Sequence, residues 1–231
     1  MPPDERTKSF DEPDRRKDKK PSKPLVIAEK KQQKLTLTNT YDYTNEAGEL
    51  LFQKLRYVDE DGKKTFRQRK PDGAGGYIYS LGDTPKVLYN LPAVLEAKKK
   101  GKAIWVVEGE KDADTLIALG DTATTMPGGA GKWLPIHTEA LAGATVDIIA
   151  DNDEVGRRHA VAVHKELTDA GCNVMAWVTP TGKDITDFLL AGGDTMDMEQ
   201  LVVEESDRIP LESNIEEEHE EPIEPPQEVV I

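Results

Sequence analysis

Three short acidic stretches in the second half of the chain constrain its fold more than any other feature. They are Val106-Val107-Glu108-Gly109-Glu110-Lys111-Asp112, Ile148-Ile149-Ala150-Asp151-Asn152-Asp153 and Gly182-Lys183-Asp184-Ile185-Thr186-Asp187. The first two directly follow short apolar runs, and a candidate helix follows all three. An apolar strand that ends in carboxylates and turns into a helix delivers those carboxylates to one edge of a parallel sheet, where α/β proteins place their sites. Three such deliveries can form one cluster of hard oxygen ligands. That is the ligand chemistry of Mg²⁺ or Mn²⁺, and it serves phosphate transfer.

The surrounding sequence repeats the same alternation. Strands are predicted over 103–107, 122–125, 146–150 and 173–178, and helices over 111–119, 136–141, 155–170 and 185–190. Gly120, Gly171 and Gly192-Gly193 stand at helix ends. Strands separated by helices make a compact parallel sheet with helices on both faces. An earlier helix over 93–97 ends in a lysine run before Gly101, an ordinary helix stop.

Residues 35–80 have a different period. Strands over 35–43, 50–58 and 63–69 are separated by Asn45-Glu46-Ala47-Gly48 and Asp59-Glu60-Asp61-Gly62, which predicts a small antiparallel meander. Lys54 and Arg56 share one face of their strand, and Arg67 and Arg69 share a face of theirs. Facing strands are expected to merge them into one basic patch, with Lys63, Lys64 and Lys70 at its rim. Binding of a phosphate backbone is one reading of that patch, and a solvated sheet face is the other.

Charge is segregated along the chain. The net charge of −14 divides unevenly: residues 1–34 carry 11 Lys/Arg against 7 Asp/Glu, and residues 194–231 carry 14 acids against Arg208. With 37% hydrophobic residues overall, both ends read as disordered, a charged arm over 1–34 and an acidic tail over 194–231. A short helical piece is expected over 196–203. The domain division is then 1–34, 35–86, 87–193 and 194–231. Cys172 is alone and reads as a small buried hydrophobe, and no Cys-His spacing suggests zinc. The absence of a long apolar run or signal-like core leads to the expectation of a cytoplasmic protein, in the host cytoplasm if phage-encoded.

The loop Met126-Pro127-Gly128-Gly129-Ala130-Gly131-Lys132-Trp133 fails as a Walker A motif, because Met126 stands where the first glycine belongs and Trp133 replaces Ser/Thr. An ATP-driven motor is not encoded there. Its glycines and Lys132 either cradle a phosphate or form a plain flexible loop.

Glu108-Gly109, Asp151-x-Asp153 and Asp184, in that order and spacing, resemble the TOPRIM domain shared by bacterial-type DNA primases, type I and II topoisomerases and some nucleases. The wording from Trp105 to Asp114, preceded by Tyr89-Asn90-Leu91-Pro92, is most similar to phage and plasmid primases. The resemblance is specific over 87–192 and looser over 41–86. It implies that Glu108 is a metal ligand or acid–base group, that Asp151, Asp153 and Asp184 bind Mg²⁺ or Mn²⁺, and that Asp112 is a supporting ligand. Asp187 falls in the first turn of the next helix, and Glu110 is expected to face solvent.

The function implied is a primase core that joins ribonucleoside triphosphates on a single-stranded DNA template. The meander residues Lys54, Arg56, Arg67 and Arg69 would guide that template. A separate replicative helicase and a separate zinc-binding module are the expected partners. A TOPRIM nuclease and a non-catalytic, DNA-binding replisome adaptor remain the alternatives.

Overall fold

A computed structural model describes residues 34–203; the charged arm up to residue 33 and the tail beyond residue 203 lie outside the described residues. Two sheets make up this region. Strands β1 (Thr36–Thr44), β2 (Leu50–Val58), β3 (Lys64–Pro71) and β4 (Tyr77–Ile78) form an antiparallel sheet in chain order. Asx turns close its first two hairpins. The Asn45 side chain accepts from the N–H groups of Ala47 and Glu49, and that of Asp59 from those of Asp61 and Lys63.

The second sheet follows α1 (Leu91–Lys99). Its strands are β5 (Ile104–Val106), β6 (Ala123–Thr124), β7 (Thr145–Ala150), β8 (Asn173–Val178) and β9 (Glu199–Gln200), in the order β6-β5-β7-β8-β9. Helices α2 (Glu110–Ala118), α3 (Pro135–Leu141), α4 (Glu154–Asp169) and α5 (Ile185–Leu190) connect them. The pairings from β6 to β8 are parallel, as expected of βα alternation, and β9 alone is antiparallel.

The strand period sorts side chains to two cores. Val146, Ile148 and Ala150 face a core that also contains Val94 of α1, Leu141 of α3 and Val163 of α4. Ile149 faces the other side, with Leu116 of α2 and Ile185 and Phe188 of α5. Among the described residues, no helix is long and apolar enough to cross a membrane.

Two expectations fail here. Residues 196–203 are not a helix. Asp194 caps a single 3-10 turn (Thr195–Asp197), after which β9 pairs with β8 and the Leu201 N–H donates to the Ala176 carbonyl at 2.8 Å. An open strand edge offers unpaired backbone groups, and pairing with them outweighs a weak local helix propensity.

The basic patch is also not assembled as expected. Lys54 lies opposite Gln68 and Arg56 opposite Phe66, whereas Arg67 lies opposite Leu55 and Arg69 opposite Gln53. Directly paired residues share a face, so the two basic pairs sit on opposite faces of the meander. Lys54 and Arg56 point inward with Tyr41, Tyr43 and Phe52. Arg67 and Arg69 point outward over the rings of Tyr57 and Tyr77, at 5.5 and 3.7 Å from the ring centroids. Lys70 is tied to the Leu81 carbonyl at 2.8 Å.

Lys54 pairs across the two sheets with Glu110, at 2.8 and 3.0 Å to its two carboxylate oxygens, and Tyr43 donates its hydroxyl to the same carboxylate at 2.6 Å. The Lys54 and Glu110 side chains are only 10% and 3% exposed. Glu110 therefore does not face solvent. Burial and the Glu110 charge push the Tyr43 phenol well above its ordinary pKa, so it stays a donor. Removing one partner of a buried pair leaves the other charge uncompensated. Lys54→Met should destabilise the protein by roughly 3–5 kcal/mol in urea unfolding, and Lys54→Met with Glu110→Leu should recover most of that loss.

Candidate active site

The three acidic motifs meet at the C-terminal edge of the parallel sheet. β5 runs into Val107 and Glu108, and Gly109 starts α2 in extended backbone, φ −133°. That conformation is open to any residue, so the glycine is not needed for its φ. It supplies space: a Cβ there would lie 3.3 Å from Oδ2 of Asp112. β7 delivers Asp151, and Asp153 then caps α4 by accepting from the Gly156 N–H at 2.9 Å. Gly156 lets this helix start pack on the strand end, since a Cβ would come within 2.7 Å of both Cβ and O of Asp151. Asp184 caps α5 in the same way, accepting from the Asp187 N–H at 2.8 Å.

Asn152 fixes the second motif against the third. Its N–H donates to the Lys183 carbonyl at 2.7 Å, and its amide donates to the carbonyls of Gly182 and Thr179 at 3.2 and 3.3 Å. Arg157 in turn holds the Asn152 carbonyl oxygen at 2.6 Å. This arginine is thus occupied in positioning, and Arg158 pairs loosely with Glu154 on the helix surface. Neither role was visible in the sequence, because the carbonyls that Asn152 holds lie in a loop about thirty residues away.

The carboxylates differ sharply in their partners. Glu108 has one oxygen, Oε2, that is buried without a hydrogen-bond partner. Burial raises its pKa, and the neighbouring charges of Asp153 and Asp112 add to this against Lys183. Asp151 is pushed up to about 7, first by burial and then by the charges of Glu108, Asp112 and Asp184, while Lys183 at 3.8 Å offsets part of this. Asp112 is buried and accepts from Thr186 through both its hydroxyl, at 2.5 Å, and its N–H. Asp184 is opposed by burial, yet the Asp187 N–H and Lys111 hold its carboxyl below the usual range. Lys111 Nζ stands 3.1 Å from Asp184 and 3.4 Å from Asp187.

Of the residues expected to bind metal, Glu108 and Asp151 are therefore mutually repelling and underpartnered, Asp153 is exposed at the rim, and Asp112 and Asp184 are partnered within the chain. Among the described residues, no three His, Cys, Asp or Glu side chains already form a group able to hold one ion. The donor set still fits a hard divalent cation. Such an ion would relieve the repulsion between Glu108 and Asp151 and would be held by those two carboxylates, Glu108 offering its unpartnered oxygen.

Lys132 is exposed at the end of β6's loop, where the Gly131 N–H donates to Nδ1 of His159 at 3.2 Å. Burial lowers His159 to about 4, which keeps Nδ1 an acceptor at neutral pH. Gln68 of the meander's inner face reaches the Pro127 carbonyl of the same loop at 3.5 Å.

An acid whose pKa is raised on folding binds its proton more tightly in the folded chain, so the metal-free protein loses stability as pH rises from 3.8 through about 7. Without divalent ions, Asp151→Asn should be more stable than the natural chain at pH 8 by about 1–3 kcal/mol. The gap should close at pH 4, and urea unfolding at both pH values measures it.

Residues 105–189 match the family described as Toprim-like. The chain is 35% identical over 125 residues to the Gene 57 protein of Mycobacterium phage D29, covering 51% of this chain and 79% of that protein. Its fold is similar to the Aquifex aeolicus primase structure of zinc-binding and RNA polymerase domains, with a TM-score of 0.52 at 21% identity over 70% of this chain. It is equally similar to the RNA polymerase domain of Mycobacterium tuberculosis primase DnaG, with a TM-score of 0.51 at 21% identity over 68% of this chain. The match spans 40% and 52% of those two solved chains, and at such identity the likeness is one of fold. Sequence kinship and shared architecture agree: this chain belongs to the Toprim-like family, in a fold similar to that of the two primase structures.

Proposed function

We propose that the chain is the catalytic core of a DNA primase, making short RNA primers on single-stranded DNA in phage or plasmid replication. The observation that carries this reading is the underpartnered pair Glu108 and Asp151 at the sheet edge, with Asp153 beside them. These three would hold Mg²⁺ or Mn²⁺, which supplies activation of the attacking 3′-hydroxyl and neutralisation of the triphosphate. Asn152 and Arg157 keep the two acidic loops at fixed separation. Burial, and after it the charge of Glu108, raises the pKa of Asp151 to about 7, so a cation binding there competes with a proton.

The outer face of the meander supports a template role. Arg67 and Arg69 lie over Tyr57 and Tyr77, and flat cationic and aromatic groups side by side suit phosphates and stacked bases. Lys132, on the loop that touches the meander's inner face, suits a triphosphate. Lys54 is removed from this surface by its pairing with Glu110, and half-buried Arg56 sits on the inner face beside it. A helicase and a zinc-binding module as separate polypeptides, and a cytoplasmic setting, complete the reading.

Incubating the chain with labelled ribonucleotides, single-stranded DNA and Mg²⁺ or Mn²⁺ tests it directly. Short RNA products are expected, reduced at least a hundredfold in Asp151→Asn. A shortened template without RNA would replace synthesis by nuclease action, and neither product, even with a helicase added, would favour an adaptor. Arg67→Ala with Arg69→Ala should weaken single-strand binding and flatten the slope of log affinity against log salt by about 1.4.

A further inference from the structure

Asp184, in the third acidic motif, differs from Glu108 and Asp151 in already having a cation within 3.4 Å of both of its oxygens. We propose that Lys111 serves as the resident cation of that motif, so that the site takes one divalent ion, at Glu108 and Asp151, and none at Asp184. The inference rests on the metal-dependent reading above.

The partners of each carboxylate support it. Lys111 Nζ lies 3.1 and 3.4 Å from the two oxygens of Asp184 and 3.4 Å from Asp187. One oxygen of Asp184 also accepts the Asp187 N–H at 2.8 Å, so both of its oxygens have donors. Glu108, by contrast, keeps a buried oxygen without any donor, and Asp151 has only a lysine at 3.8 Å. A divalent ion placed on Asp184 would have to displace an ammonium group from contact distance or sit against it.

Lys111 is held for this role by its own helix. On one side of it, Glu110 is fixed in the buried pair with Lys54. On the other, Asp112 is bonded to Thr186 of α5. The Thr115 hydroxyl, one turn along α2, lies 2.9 Å from both the Thr186 hydroxyl and the Lys111 carbonyl; with the Thr186 proton given to Asp112, it donates to one of the two. The seam between α2 and α5 is thus built from side-chain bonds on both sides of Lys111, and its ammonium reaches the two aspartates from a fixed base. Lys111 acts as a positioning residue: it satisfies Asp184 and keeps it out of the ion-binding set.

Counting bound Mn²⁺ by the loss of the free-ion paramagnetic signal, on the full chain without nucleotide, tests this. One ion per chain is expected for the natural protein and for Lys111→Arg, two for Lys111→Gln, and none for Glu108→Gln. Two ions on the natural protein would overturn the role of Lys111 while leaving the metal reading intact. So would a count of one for Lys111→Gln with an unchanged circular dichroism spectrum. If Lys111→Gln does not fold, the counts for the natural chain and Lys111→Arg decide: one on each supports the inference, and two on either overturns it. No Mn²⁺ on the natural protein would remove the metal reading and this inference together.

Discussion

A buried ion pair, Lys54 with Glu110, ties the antiparallel meander to the sheet that carries the acidic site, within a core that Tyr41, Tyr43 and Phe52 share with Val94 and Val106. Both charges have left water, and such burial is tolerated only when each finds a partner of good geometry. Tyr43 completes the arrangement with its hydroxyl, while its ring stacks on Phe52 at 4.5 Å. Because Glu110 is the first residue of α2, fixing it fixes the start of the helix and, two residues earlier, the end of the strand bearing Glu108. The meander and the proposed ion site are therefore tied through this contact and the core around it.

Four side chains at this strand end meet four different surroundings. Glu108 presents an unpartnered oxygen, Glu110 meets the meander, Lys111 crosses to Asp184 and Asp187, and Asp112 bonds to Thr186. The helical turn is responsible. Successive side chains on a helix point about 100° apart, so neighbours in sequence cannot share one target. Acidic residues that look equivalent in the sequence are sorted by direction into an unpartnered carboxylate, a buried anchor and a helix tie.

Much of this was legible in the sequence. The alternation of apolar strands and helices announced a parallel sheet, and Glu108, Asp151 and Asp184 stand at strand or loop ends where their motifs placed them. What was not legible depended on partners distant in sequence. Glu110 looked solvent-facing because the lysine that pairs with it is 56 residues away in the sequence. The basic patch failed on register: a shift of one residue in pairing β3 to β2 would have put Arg67 and Arg69 beside Lys54 and Arg56. Residues 196–203 looked weakly helical because the open edge of β8 is not a local feature.

The sequence by itself determined where strands end, where helices start, and which carboxylates lie at those junctions. Those features follow from local periodicity, capping and turn chemistry, which neighbours in sequence control. The tertiary structure alone decided which carboxylates keep their charge uncompensated and which are neutralised. That outcome depends on distances between groups on different elements, and electrostatic energy inside a protein is set by those distances and by the water that packing excludes.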